Sequence, residues 1–438
     1  MSADWAIVSL SEIAAIESAF SMGPFGSDIK ADNYRSFGIP VLRGVNITKG
    51  ATPFIDTDYV YLEESKAHEL KRSSACPGDL LFVAQGTVGK IGRIPENSKH
   101  KWFILSQNMM RARVDSRKAD SRFLYYYFTS HEGQSEIMSY VNPTGVPCVS
   151  QPLTSLKKFQ VPLPPLPEQR AIAHILGTLD DKIELNRKMN ETLEAMARAL
   201  FKSWFVDFGP VRRNMARRGV STPLNDPASV PERSRGAEID ALFPGEFEDS
   251  ALGEVPKGWR VGKIEEIIQR MPVGKKYDQK SASQTGKVPI LDQGRSGLIG
   301  YHNDEPSFIA SPENPVIVFA NHTCYMRLIS YPFSAIQNVL PFVGKDKDIL
   351  WVFYATVDRQ SFIEYKGHWP DFILHQLAIP NNRLDLEFGR LIRPWYHKTI
   401  SIAAETRALA QIRDTLLPKL ISGELRVRDA SKFVEAAL

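Results

Sequence analysis

The chain repeats itself, and no other feature constrains its fold as strongly. The run Asp4 to Ile13 (DWAIVSLSEI) resembles Gly258 to Ile267 (GWRVGKIEEI). Ile39-Pro40-Val41-Leu42 recurs as Val288-Pro289-Ile290-Leu291, and the strand-like Asp79 to Ala84 recurs as Pro315 to Ala320. Ser106-Gln107-Asn108 matches Ile336-Gln337-Asn338. Aromatic helical runs follow in both halves, Phe123 to Phe128 and Leu350 to Tyr354, and each half then reaches a proline, Pro162 and Pro380. The order is the same throughout, while the offset drifts from 254 to about 216 as loop lengths differ. The expectation is therefore an α+β chain of two mixed domains in tandem. Each is followed by a long helix, and the two helices pack as an antiparallel coiled coil.

The helices are read from their apolar spacing. Pro167 suits the first helical turn, with Glu168 beside it. Ile172, Leu176, Leu179 and Ile183, then Leu193, Ala197, Leu200 and Trp204, keep a 3–4 rhythm for more than four heptads, with Asn186 and Asn190 on the same seam. Gly209-Pro210 is the expected stop. Roughly 40 residues at 1.5 Å each give a rod of about 60 Å, longer than a domain core needs. A second seam reads Ile392, Trp395, Thr399, Ile402, Thr406, Leu409, Leu416 and Leu420. Pro394 should kink it, Pro418 should bend its end, and Gly423 should end it. Asn186 and Asn190 read as register-setting polar residues. The alternative is that each stripe packs on its own domain or on another subunit.

These features divide the chain into a first mixed domain at 1–163, a first helical spacer at 164–208 and a linker at 209–255. A second mixed domain follows at 256–381, then a second helical spacer at 382–424 and a tail at 425–438. The linker is rich in Pro, Gly, Ser and Arg, so it should carry little core. Its Arg212, Arg213, Arg217 and Arg218 could touch phosphate or simply be solvated.

Charge sets a limit on partners. The net charge is +4, and Gly209 to Arg235, with six Arg against Asp226 and Glu232, accounts for all of it. No domain is basic enough for charge alone to argue nucleic acid. Cys76, Cys148 and Cys324 are odd in number and far apart, which excludes a secreted disulfide framework and points to a reducing cytosol. No secretory signal is visible at Met1-Ser2-Ala3-Asp4-Trp5. The longest apolar run, Ile349 to Val357, is half a membrane span. A cytoplasmic protein without a membrane partner is expected.

Catalytic motifs are scarce. Gly86-Thr87-Val88-Gly89-Lys90 lacks the spacing of a P-loop. His322 and Cys324 lack nearby metal-ligand partners and read as a core pair, so no metal site is assigned. Glu64-x-Lys66 and Glu364-x-Lys366 are the short matches that arise freely in charged chains. The polar residues at matched positions are more informative. Arg43 and Asn46 follow one short strand, and Asp292, Gln293 and Arg295 follow its counterpart. Gln107-Asn108 and Gln337-Asn338 both leave a loop for an apolar strand. Asn and Gln read adenine bidentately and Arg reads guanine. The competing role is capping turns or satisfying buried backbone, and for Gln107 and Gln337 a position kept between diverging repeats points first to that role. Arg43, Lys90, Arg295 and His322 are not shared between the repeats, as expected of side chains that read two different half-sites.

With these residues in view, the chain resembles the specificity subunit of a type I restriction–modification enzyme over nearly its whole length. The resemblance is carried by Pro162-Leu163-Pro164-Pro165-Leu166-Pro167-Glu168-Gln169-Arg170, by Leu179-Asp180-Asp181-Lys182-Ile183 with Asn186, and by Ala199 to Phe208 (ALFKSWFVDF). Asp249 to Trp259 (DSALGEVPKGW), Leu416 to Leu425 (LLPKLISGEL), and Gly78-Asp79-Leu80-Leu81 with the Gly86 to Lys90 turn complete it. The second half departs in having Ile379-Pro380-Asn381-Asn382 before its helix and Asn321-His322-Thr323-Cys324 where the first has Gly-x-x-Gly. The resemblance implies two target recognition domains that bind a bipartite, asymmetric double-stranded DNA target. The helices would act as a ruler and dock two methyltransferase subunits, with two restriction subunits joining them. Asn186, Asn190, Trp204 and Trp395 are the expected docking residues. The chain itself would catalyse nothing and bind no cofactor. AdoMet would belong to the methyltransferase, and Mg2+ and ATP to the restriction subunit, in a bacterial or archaeal cell. The other readings are a stand-alone two-domain DNA-binding regulator and a coiled-coil scaffold.

Overall fold

The computed structural model describes residues 5–24, 28–48, 54–142, 144–219, 235–272, 274–294, 297–381 and 383–435. It is an α+β chain of two compact units: Met1–Lys188 with Ala404–Leu438, and Met189–Ala403.

In the first unit, four antiparallel strands lie in the order Phe20–Met22, Met109–Ala112, Leu80–Val83, Ile91–Arg93. A second sheet runs Val60–Leu62, Ile39–Leu42, Phe103–Leu105, Ser74–Ala75. Its centre is a parallel pair in which Val41 faces Ile104 and Leu42 faces Leu105. Leu80-Leu81-Phe82-Val83 is buried on both faces. Leu80 and Phe82 join the core under the aromatic helix, while Leu81 and Val83 join the core shared with the second sheet. A strand's side chains alternate between faces, so an unbroken apolar run is what a strand between two layers needs.

The aromatic helix spans Ser121–Thr129, and Asp120 caps it by accepting from the N–H groups of Arg122 and Phe123 at 2.9 and 3.0 Å. Phe123 to Phe128 are all buried, the pattern of a helix held between two layers. The Phe128 ring meets Phe82 edge-on at 5.2 Å on one side. On the other, the Tyr126 hydroxyl donates to Asp180 on the first long helix at 2.8 Å.

The second unit rebuilds this plan. Its four-stranded sheet runs Ile268–Arg270, Val339–Gly344, Val316–Ala320, Met326–Ile329. Ile290 and Leu291 face Ser334 and Ala335 in the matching parallel pair. Ile317 and Phe319 turn to one core, Val316 and Val318 to another. Asp348 caps the second aromatic helix, Ile349–Thr356, through the Leu350 N–H at 2.9 Å. In each unit the first strand pairs antiparallel with the strand before the long helix: Ala6–Ser9 with Gln160–Leu163, and Arg260–Lys263 with Gln376–Ile379.

The long helices span Leu166–Phe205 and Leu384–Ile421. In the first unit Glu168 pairs with Arg426, Asp180 with Arg413 and Lys182 with Glu405, so one chain direction rises as the other falls. Ile172, Leu176, Leu179, Ile183, Leu409, Leu416 and Leu420 are buried along this antiparallel seam. In the second unit Phe201, Trp204 and Phe205 gather around Phe388 at 5.6, 6.1 and 5.6 Å. The second long helix runs through Pro394 and Pro418 without interruption.

Three sequence expectations need correction. Gly209-Pro210 does not merely stop a helix. Phe208 turns the chain at φ +52°, and Gly209–Gly219 begins a new helix, with proline tolerated in its first turn because that N–H has no intrahelical partner. The expected linker also carries core: Val211 and Phe243 are buried with Trp204 and Trp259. Four of its arginines are engaged within the protein. Arg213 and Arg217 pair with the buried Asp240, Arg218 with Glu246, and Arg212 lies 5.2 Å over the Phe247 ring. Residues 220–234 of that linker lie outside the described residues. The expected tail folds as well, with Val427–Glu435 forming a helix that buries Ala430 and Val434 in the first unit's core.

Candidate nucleic-acid interface

In the first unit, backbone hydrogen bonds gather four loops at one edge of the two sheets. The Ser106 N–H donates to Leu42 O at 2.8 Å, joining the ends of the parallel strands. The Ala84 N–H donates to Asn108 O at 2.8 Å, and the Val149 N–H returns to Ala84 O at 2.8 Å. The Gly86 N–H reaches Pro147 O at 2.9 Å. The loops after Leu42, Val83 and Leu105 and the Val141–Val149 hairpin thus form one surface.

The second unit repeats this arrangement. The Ile336 N–H donates to Leu291 O at 3.0 Å, the Asn321 N–H to Asn338 O at 2.9 Å, and the His368 N–H to Asn321 O at 2.9 Å. Arg327 steadies the loop after Leu291 by donating to Gly297 O at 3.1 Å and Asp292 O at 3.2 Å.

The glutamines sit at the tip of the same turn in both units. Gln107 and Gln337 are exposed, as is Asn108, and Asn338 is half-buried. None of the four side chains has a hydrogen-bond partner among the described residues. The turn is held by the asparagine carbonyls instead, which leaves the amides free. Side-chain capping was the first reading for these glutamines, and the fold does not use them that way.

Other expected readers are placed differently. Asn46 is fully buried. It accepts from the Arg43 N–H at 3.0 Å and donates to Ile55 O and Thr57 O at 3.3 and 2.9 Å, so it holds a loop and has no group to offer a base. Arg43 is half-buried and donates to Asp58 O at 2.9 Å. Lys90 is half-buried, just after the turn. The Gln293 side chain accepts from the His322 N–H at 2.9 Å and joins two loops. The His322 ring packs 4.9 Å from Tyr365, and its Nδ1 has no hydrogen-bond partner among the described residues. Arg295 lies outside the described residues.

The Gly86-x-x-Gly89 turn has both glycines at positive φ, +84° and +90°. Where the second unit lacks them, Cys324 takes φ +58° and its N–H closes the turn on Ala320 O at 2.8 Å. The turn survives the loss of its glycines at the cost of a left-handed non-glycine residue. His322 and Cys324 are not a fully buried core pair, since both are half-buried in this loop. No group of three or more metal-ligating side chains occurs among the described residues. No described helix is long and apolar enough to cross a membrane.

On the helices, Asn186 is buried and donates to Glu405 at 3.1 Å, a polar contact across the seam. Asn190 is half-buried and its Oδ1 lacks a partner among the described residues. Trp204 is buried against Phe243 at 5.3 Å, so it serves its own unit's core and offers no docking surface. Trp395 is half-buried and lines a cavity of about 510 Å3 with Tyr325, Tyr331 and Tyr354.

One pair of residues escaped the sequence reading. Gln169 is fully buried, accepts from the Asp120 N–H at 2.9 Å and donates to Pro164 O at 2.8 Å. Its counterpart Asp385 accepts from the Asp348 N–H at 3.0 Å, with Lys347 at 3.4 Å. Each fastens the cap of the aromatic helix to the start of a long helix. The offset of 216 between Gln169 and Asp385 was the available signal.

Residues 3–195 match the type I restriction modification DNA specificity domain. The match covers the first unit's layers and loop edge, and the second unit repeats both. The type I restriction enzyme HindI specificity subunit of Haemophilus influenzae is 26% identical over 322 residues, 62% of this chain and 70% of that protein. The MjaIX specificity subunit of Methanocaldococcus jannaschii is 20% identical over 450 residues, 97% and 94% of the two chains. The fold is also that of a solved S subunit of a type I restriction–modification system from M. genitalium, at TM-score 0.55 and 16% identity, covering 95% of this chain and 96% of that one. Over nearly its whole length the chain is thus similar to specificity subunits of type I restriction–modification enzymes, and it has the fold of one.

Proposed function

We propose that the two loop edges each read one half of a split, asymmetric double-stranded DNA target. The observation that carries this reading is the repeated turn, which presents Gln107 and Gln337 exposed and unengaged at the same place in each domain. Free amides at a loop tip can pair with base edges in the major groove. Lys90, Asn108, His322 and Asn338 lie on the same edges, and Arg43 borders them. The long helices, each of which runs through both units, fix the spacer between half-sites. They and the nearby surfaces, including Trp395, dock two methyltransferase subunits, to which two restriction subunits add. AdoMet acts on the methyltransferase, and Mg2+ and ATP on the restriction subunit. The chain contributes specificity and assembly in the cytoplasm of its host, and no catalytic step.

The test is base modification. The chain is co-expressed with the methyltransferase encoded beside it in a methylation-free host, assembly is confirmed, and N6-methyladenine is mapped across the genome. One split motif with a fixed spacer is the expected result. An assembled complex that leaves no methylated motif overturns the reading.

A further inference from the structure

In the second unit a segment from Asp358 to His368 crosses the loop edge. Its root is fixed. The His368 N–H donates to Asn321 O at 2.9 Å, the Trp369 N–H to Asn321 Oδ1 at 2.9 Å, and the buried His368 ring lies 3.0 Å from Glu364 O. Asn321 is the residue whose own N–H holds the Asn338 carbonyl, so the segment is tied directly to the turn that carries Gln337. From this root Phe362, Ile363 and Tyr365 stand out, 55, 77 and 83% exposed. Single exposed apolar residues are ordinary on a protein surface. Three large ones within four positions mark a contact surface.

Most charges around the finger are already matched. Lys366 pairs with Glu364 and Asp371, both at 3.3 Å, Asp358 pairs with Arg198, and the Arg359 Nε donates to Ala355 O. Of the segment's two cationic side chains, Lys366 is held by carboxylates, while Arg359 is engaged through Nε with a backbone carbonyl. Tyr365 lies against His322, beside the proposed reading residues. The matched hairpin of the first unit is rooted the same way, by the Val149 N–H on Ala84 O. There Val146 is the only exposed large apolar residue among those described.

We propose that Phe362, Ile363 and Tyr365 form an apolar finger that enters the base stack of the second half-site. Apolar side chains wedged between base steps are a known way to unstack and bend a duplex, and the unstacking cost is offset by the added contact. The finger makes recognition asymmetric, since the first domain has no equivalent among its described residues. This inference rests on the reading that the loop edge binds DNA.

The test uses the complete complex with the methyltransferase subunit and a duplex carrying the mapped target. 2-Aminopurine is placed in one half-site or the other. The variant F362S/I363S/Y365S is compared with wild type, with V146S as the first-domain counterpart and unfolding midpoints as the check on folding. The triple variant should bind the target about 30-fold more weakly, within what base stacking on aromatic side chains contributes. The slope of affinity against salt should be unchanged, because no phosphate contact is lost. The fluorescence rise on binding should vanish in the second half-site and persist in the first. Unchanged affinity and fluorescence overturn the finger while leaving the DNA reading intact. A variant that no longer assembles with the methyltransferase also overturns it, in favour of a protein contact. A wild-type complex that does not bind the target overturns the DNA reading itself, and the finger with it.

Discussion

Arg413 on the second long helix donates to Asp180 on the first at 2.8 Å, where both side chains are nearly buried. The other carboxylate oxygen accepts from the Tyr126 hydroxyl at 2.8 Å. One carboxylate thus ties the aromatic helix and both long helices together within the first unit. Burial pushes the Asp180 carboxyl above its ordinary range, and the Arg413 and Tyr126 hydrogen bonds only partly offset that.

Removing Arg413 leaves a buried carboxylate with one neutral partner. Arg413→Ala should therefore destabilise the first unit by about 3 kcal/mol, and adding Asp180→Asn should recover most of the loss. A carboxyl whose folded pKa is raised is stabilising below that pKa and loses the contribution as pH rises through it. The Arg413→Ala defect should accordingly shrink in acid. Denaturant unfolding of the two variants at several pH values measures both effects.

The paired fasteners at the helix starts differ in charge and should fail differently. Gln169→Ala strands the Asp120 N–H and the Pro164 carbonyl, which should cost about 2 kcal/mol. Gln169→Glu should cost at least as much, because a carboxylate would face the carbonyls of Pro164 and Lys118 where the amide now donates. Asp385→Asn, by contrast, keeps an acceptor for the Asp348 N–H and gives up only charge pairing with Lys347, so its cost should be smaller. Thermal unfolding ranks the three.

The glycine turns make a second comparison between repeats. Cys324 occupies φ +58°, a conformation that costs a non-glycine residue roughly 1 kcal/mol. Cys324→Gly should leave stability unchanged or raise it by up to about 1 kcal/mol. Gly89→Ala should lower it, since the added Cβ would lie 2.6 Å from Gln134 Oε1 and 2.7 Å from Met138 Cε at φ +90°. Chemical denaturation curves for the single variants decide the matter.

The repeat and the two seams made the layers and the long helices legible in sequence, because apolar periodicity reports burial directly. Leu80 to Val83 and Val316 to Ala320 read as strands for the same reason. The helix after Gly209 was not legible, since its arginines look like a solvated linker until Asp240, 27 residues from Arg213, is brought to them. Gln169 looked like one polar residue in a helix start. Its role depends on the Asp120 N–H, which only the packing of the aromatic helix delivers. At the loop edge, sequence picked the positions of Gln107 and Gln337, but it could not separate them from Asn46, whose burial follows from the fold of residues 54–57.

That separation gives the last prediction. If Gln107 and Gln337 read bases, each should act on one half-site alone. Gln107→Ala should relax one base pair in one half of the methylated motif by about 1–3 kcal/mol of discrimination, and Gln337→Ala should do so in the other half. Protein stability should not change in either case, because neither side chain is hydrogen-bonded to another described residue. Asn46→Ala should do the reverse: it lowers the unfolding midpoint by stranding two carbonyls and an N–H, and it leaves the motif unchanged wherever the protein stays folded. Methylome maps of the three variants, set beside their unfolding midpoints, distinguish a reader from a brace. A motif unchanged by both glutamine variants would move recognition elsewhere on the edge, to Lys90, Asn108, His322 or Asn338.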